Sequence, residues 1–236
     1  MKSQRFRRIV EENIKFEKKS PYNFCDRWCE RCPPDKQTRC RLYQDEFERK
    51  LTCIAHGRDL YDPEITAEVM EQQFEDSGKK IKKFMEENDI DFDDSDDSES
   101  ANMGDDIEPA ENNPLDNTGE QFCKRADEFL KEVFYNKEGL NPDLTNDFET
   151  IAWYHTLLSV KLHRALCGLH EFVNQDEFPL CDAVAQFAIC KKAITGTVQA
   201  LRRIAPDYFQ YKNLIQELLA LLHNILSRIE ALEESI

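Results

Sequence analysis

Residues 211–232 read YKNLIQELLALLHNILSRIEAL, and here Tyr211, Ile215, Leu218, Leu222, Ile225, Ile229 and Leu232 recur at alternating steps of four and three. That spacing keeps one stripe of side chains on one face of an α-helix. A half-buried strand would alternate with period two, and this stretch does not. Gln216, Glu217, His223 and Asn224 interrupt the apolar run, so it falls short of the roughly 18 uninterrupted apolar residues that a membrane span needs.

The same reading extends toward the N-terminus. Phe122, Ala126, Phe129 and Val133 step by four and three. A second helix is expected from Asn146, an N-cap with Glu149 in the capping-box position, carrying Ile151, Tyr154, Leu158, Leu162, Ala165, Leu169 and Phe172. A third, after Pro179, carries Leu180, Val184, Phe187, Ile194, Val198 and Leu201. Four amphipathic segments with short connections predict an antiparallel four-helix bundle over residues 119–236. The 236-residue chain has only seven glycines and nine prolines. The fold class read from it is all-α.

Between residues 87 and 117 there are thirteen acids and no bases, out of a net charge of −16 for the chain. Such a segment cannot bury enough apolar surface to offset chain entropy, so residues 88–118 read as a disordered acidic linker. Asp89, Asp91 and Asp93 imitate the start of a calcium-binding loop. However, Asp94 stands where glycine is needed and Ser100 where a bidentate Glu is needed. Ahead of the linker, residues 42–87 predict a helical hairpin broken near 57–63, with Val69, Phe74, Ile81 and Phe84 as a thin stripe on the second arm. Residues 1–87 are therefore expected to form a first domain of knuckle plus hairpin.

The knuckle is PYNFCDRWCERCPPDKQTRCR, residues 21–41. Cys25, Cys29, Cys32 and Cys40 give the spacing C-x3-C-x2-C-x7-C in a segment with no apolar period. Nine cysteines are an odd number in a long helical chain, which favours metal ligands over a disulfide framework. Four thiolates can close a tetrahedron around zinc or hold an iron–sulfur cluster, and the ion would supply folding free energy to a short segment. Free or redox-active thiols are the remaining reading. Arg27, Arg31, Arg39 and Arg41 interleave the thiols and would offset thiolate charge. Trp28 is expected to cover the knuckle or the helix after it. The triad Cys25-x3-Cys29-x2-Cys32 also matches the cluster motif of radical S-adenosylmethionine enzymes, but Arg31 holds the aromatic position and nothing alternates strand with helix.

YNFCDRWCERCP, followed by RCRLYQ and later ETIAWYHTLLSVKLHRAL, resembles a family of bacterial helical proteins with an N-terminal CDRxCERC knuckle and no established activity. The resemblance covers about a quarter of the chain. What it carries over is the plan and the thiols Cys25, Cys29, Cys32 and Cys40.

Other groups read as structural. Cys53 and His56 form a C-x2-H pair that could complete or replace the knuckle's ligand set, and the favoured reading is one buried thiol and one surface imidazole. His155, His163 and His170 share one helix, and His223 lies on another, with no Glu-x-x-His in the chain. A ferritin-like di-iron centre is thereby excluded. Lys191 sits in the apolar seam between Phe187 and Ile194, where a buried lysine could serve as a nucleophile or base; the favoured reading is that it snorkels outward or is rotated out so that Cys190 faces inward. The basic arm of Arg5, Arg7, Arg8, Lys15, Lys18 and Lys19 could meet nucleic acid, in competition with the acidic linker. No secretory signal or membrane span is seen, so the chain reads as cytoplasmic. The expected function is that of a non-enzymatic, zinc-knuckle helical interaction or regulatory module with protein partners. The alternative is an iron–sulfur or thiol-based redox or metal-dependent enzyme using the Cys25 cluster.

Overall fold

Every regular element in the computed structural model is helical among the residues it describes, which are 2–87, 113–135, 141–171 and 177–236. In chain order the α-helices are α1 (Gln4–Glu17), α2 (Pro34–Gln37), α3 (Arg41–Ala55), α4 (Pro63–Glu87), α5 (Pro114–Val133), α6 (Thr145–Glu171), α7 (Glu177–Ile204) and α8 (Lys212–Ser235). Short 3-10 turns add Pro21–Phe24, Cys29–Arg31, Pro142–Leu144 and Phe209–Tyr211. The chain divides into two units, one ending its N-terminal part at Trp28 and containing α5 to α8, the other starting at Cys29 and containing α2 to α4.

In the first unit, α6 packs on α5 and α7, and α8 packs on α5 and α7. The shared core holds Phe122, Phe129, Phe148, Leu158, Leu162, Phe187, Ile194, Leu201, Leu218 and Leu222, each almost fully buried. The helical phases read from the sequence therefore hold, including Leu222 at the centre of α8. Gly168 lets α6 and α7 approach closely, because a Cβ there would fall 2.7 Å from the Pro179 carbonyl oxygen. Polar groups at the helix margins pair across elements. Arg203 Nε donates to Asp147 at 2.8 Å, Arg125 Nε to Glu217 at 2.9 Å, and Arg164 Nε to Asp182 at 2.7 Å.

Several boundaries differ from expectation. Helix α5 starts at Pro114, inside the expected 88–118 linker, with Asn113 accepting the Leu115 N–H at 2.9 Å as its cap. Pro at the first helical position and Asn before it are strong start signals, outweighed in the sequence reading by local acidity. Residues 88–112, with Asp89, Asp91 and Asp93, lie outside the described residues, as does Phe172. Asn146 is not a cap. The chain turns first through Pro142–Leu144, capped by Asn141, and α6 begins at Thr145. Helix α7 begins at Glu177, so Pro179 sits in its first turn.

The expected first domain, 1–87, is divided between the two units. Helix α1, which the sequence reading did not assign, packs on α7 through Phe6 and Ile9 against Leu180 and Val184. Its start is capped by Ser3, whose hydroxyl accepts the Phe6 N–H at 3.0 Å.

The second unit contains the hairpin of α3 and α4. Its turn follows from Gly57, whose φ of +65° is the left-handed conformation that closes a helix end. The Gly57 N–H donates to the Ile54 carbonyl and the Arg58 N–H to the Cys53 carbonyl, as a Schellman cap requires. Cys53 is fully buried and His56 exposed. Beyond Ile65 no residue of α4 is buried.

Candidate functional site

The cysteine-rich segment is built from short 3-10 turns and the four-residue α2 rather than one long helix, because Pro21, Pro33 and Pro34 punctuate it. The Cys25 thiol donates to the Tyr22 carbonyl at 3.4 Å. The Cys29 carbonyl accepts from Gln37 Nε2 at 3.1 Å, and Cys40 is the residue that precedes α3. All four thiols are half-buried. Cys25 belongs to the first unit, and Cys29, Cys32 and Cys40 to the second. Among the described residues, no three His, Cys, Asp or Glu side chains gather as a metal ion would require.

The residues beside Cys25 form a different site. Asp26 is buried and its carboxylate accepts the Tyr154 hydroxyl at 2.7 Å, while Lys192 Nζ lies 2.6 Å from the same oxygen. The Asp26 carbonyl accepts Trp153 Nε1–H at 2.8 Å. Trp28 stacks on Trp153 with centroids 5.3 Å apart and meets Tyr154 edge-on at 5.7 Å. Trp28 therefore packs on α6. Between them Arg27 takes φ +59°, the one left-handed non-glycine among the described residues. A β-carbon disfavours that conformation by about 1–2 kcal/mol, and the contacts of its two neighbours hold it there.

Burial alone would raise the Asp26 carboxyl, but Lys192 and Tyr154 outweigh it and hold the group below its usual value. It is therefore an anion at neutral pH with no proton to give, a joint and not a general acid. On the facing helix, burial and the nearby Arg164 and Arg27 push the Lys161 ammonium down, with Cys25 pulling the other way. Burial pushes the Cys190 thiol up to about 12, which leaves it protonated and inert.

The chain matches no protein-family model, no curated protein and no solved structure. Lys191 turns out of the seam, Cys190 faces inward, and the Lys191 ammonium meets the buried Glu233 carboxylate at 2.5 Å, with Lys2 at 2.7 Å on its other oxygen. His155 Nδ1 lies 2.7 Å from the Ala152 carbonyl, His163 Nδ1 lies 2.9 Å from the buried Asp116, and His170 and His223 are exposed. The basic arm is partly engaged: Arg8 pairs with Glu177, with Arg5 3.7 Å from the same carboxylate. No described helix is long and apolar enough to cross a membrane.

The sequence reading missed Asp26 because it counted the residue as a spacer between thiols. The available signal was the pair Trp153–Tyr154, two amphipathic aromatics side by side on a helix that needed polar partners for both.

Proposed function

We propose that this chain is a non-enzymatic helical interaction module with protein partners, working in the cytoplasm. An antiparallel four-helix bundle of α5 to α8 serves as the body and the α3–α4 hairpin as the docking arm. Support for the antiparallel bundle comes from contacts that run in opposite directions. Phe129 near the end of α5 meets Phe148 near the start of α6, and Gly168 near the end of α6 meets Pro179 near the start of α7. Kinship with the bacterial CDRxCERC proteins belongs to the same proposal.

The observation that carries the reading is the apolar face of α4. Met70, Phe74 and Ile81 are exposed at 42%, 72% and 59% on one side of a 25-residue helix. An aligned apolar stripe that its own unit leaves in water is the signature of a partner helix or groove. The test is Phe74→Asp in the full chain. If the face is free, thermal stability changes by no more than about 0.5 kcal/mol, as at ordinary surface sites. A loss of about 2 kcal/mol or more would mean that the chain itself covers the face, and the docking role fails.

Cys25, Cys29, Cys32 and Cys40 are proposed to hold a structural zinc. The support is the donor set and the lack of a core: between residues 21 and 40 only Pro21 and Asp26 are buried. Elemental analysis after anaerobic purification should find about one zinc per chain in colourless protein. A brown chromophore would replace this part with the iron–sulfur alternative.

A further inference from the structure

We infer that Lys161, Arg27 and Arg164 form a binding site for a small oxyanion of the phosphate type on the α6–α7 seam. All three belong to the first unit. Arg164 Nε and Nη2 hold the Asp182 carboxylate at 2.7 and 2.8 Å, and the Cys190 thiol lies 4.0 Å from the Leu158 carbonyl. Lys161 is midway between Leu158 and Arg164 on α6, and Gln186 is midway between Asp182 and Cys190 on α7. The run of these contacts therefore sets Lys161 level with Gln186. That level is incomplete in two ways. Gln186 is fully buried, and its Nε2 donates to Asp182 Oδ1 at 2.9 Å. A carboxylate can only accept, so the amide nitrogen is the end that faces it, and Oε1 is left buried with no hydrogen-bond partner. Lys161 is half-buried and makes no hydrogen bond or ion pair among the described residues. One of its three ammonium hydrogens can serve Gln186 inward while two remain for a ligand outward.

The charge around this lysine is one-sided. Asp182 is already held by Arg164, whose Nη1 is left without a partner among the described residues. Arg27 is exposed and makes no ion pair among the described residues. It is fixed across the same two helices by its neighbours: Asp26 bonds Tyr154 on α6 and pairs with Lys192 on α7, and Trp28 stacks on Trp153. Burial, then Arg164 and Arg27, push the Lys161 ammonium down, as expected where cations gather without enough counter-charge. Cys25, beside them, donates its thiol hydrogen to the Tyr22 carbonyl and brings no negative charge. Two guanidinium groups and an ammonium, with one engaged carboxylate among them, call for an anion. A tetrahedral oxyanion suits them better than a carboxylate, because a guanidinium fork takes two oxygens and the ammonium takes a third.

The experiment follows the unfolding midpoint of the full chain as inorganic phosphate replaces chloride at constant ionic strength, from about 0.1 to 50 mM, the span around a millimolar Kd. The midpoint should rise and saturate, and acetate at the same concentrations should not raise it. Lys161→Met and Arg27→Gly should each weaken phosphate at least roughly tenfold by isothermal calorimetry, as the loss of one charge-assisted contact implies. Both variants should keep the fold. Methionine retains the apolar stem and removes a half-buried charge that has no partner. Glycine takes φ +59° without the β-carbon penalty. Their phosphate-free midpoints should therefore not fall, so that lost binding is not lost folding. A midpoint that ignores phosphate overturns the site and leaves Lys161 and Gln186 to an ordered water. A response shared by acetate overturns the phosphate class. A phosphate response unchanged in both variants puts the anion elsewhere, such as on Lys15 and Lys19 of the basic arm, and overturns the site as well.

Discussion

Helix α4 has 25 residues and α8 has 24, both carry apolar side chains at steps of three and four, and their surroundings differ completely. In α8, Ile215, Leu218, Leu222, Ile225 and Ile229 are buried, with α5 and α7 packed on the helix; in α4 only Ile65 is buried. The period says that a face exists, and the neighbours decide whether it is filled. Around α8, two long helices, α5 and α7, bring apolar stripes of their own. Among the described residues of its own unit, α4 packs on the shorter α3, and the stripe is thinned by Ala67 and Ser77. The comparison separates a helix that completes a core from one built to meet something else.

The sharpest way to break that contrast is a matched pair of truncations. Leu222→Ala should cost about 2–5 kcal/mol, the range for emptying a core leucine site. Ile81→Ala in dilute protein should stay within about 0.5 kcal/mol. Chemical denaturation of both variants checks this. Equal costs would mean that α4 is packed as tightly as α8 and that the distinction is false.

The next effect lies at the Asp26 joint. Asp26→Ala should cost about 1–3 kcal/mol, because the buried Tyr154 hydroxyl loses its acceptor. The Lys192 side chain is 64% exposed, so the ion pair itself adds little. The folded carboxyl value is lowered, so the unfolded state binds its proton first as acid is added. The contribution of the site is complete above the unfolded value of about 3.9 and is lost as pH falls through the lower folded one. Asp26→Asn should flatten that part of the acid limb in a series of unfolding midpoints against pH. An unchanged limb would remove Asp26 from the joint.

How much of this was legible depends on the distance over which each cause acts. The phases of α5 to α8 were legible because a helix announces its buried face within one or two turns, as Tyr211 to Leu232 does. Helix α1 was not, since Phe6, Ile9 and Val10 are few among bases and are filled by Leu180 and Val184, far along the chain. The start of α5 was hidden by composition, although Asn113–Pro114 spelled a cap. At the cysteines the spacing suggests ligands, but spacing says nothing of how sulfurs are gathered. Asp26 was the least readable, because its meaning comes from Tyr154, 128 positions away.

Lys191 shows the same limit with a smaller energy. From the seam alone, Lys191→Leu should stabilise the bundle or leave it unchanged. The structure reverses that expectation, because Glu233 is 1% exposed and is paired with Lys191 as well as Lys2. Removing the Lys191 partner of this buried carboxylate should cost about 1–2 kcal/mol. The double variant Lys191→Leu with Glu233→Leu should recover much of it, since an apolar pair of similar volume often replaces a buried ion pair without loss. A stabilised single variant, measured by thermal unfolding, would show that Glu233 does not depend on this lysine.

The smallest effect belongs to the hairpin turn and tests whether the two units respond separately. Gly57 takes φ +65°, and nothing lies within 4 Å of where its Cβ would be. Gly57→Ala therefore meets no clash and pays only the backbone cost of a β-carbon in the left-handed region, about 1 kcal/mol. Asn tolerates that region better, so Gly57→Asn should cost less. The loss should register where the Schellman cap is made, as faster amide exchange of Gly57 and Arg58, whose N–H groups bond to Ile54 and Cys53. Amides in the middle of α8, around Leu222, should exchange at the wild-type rate. Exchange that quickens equally at both places would mean that the turn and the core open together, and α4 and α8 would then differ in packing while sharing one cooperative unit.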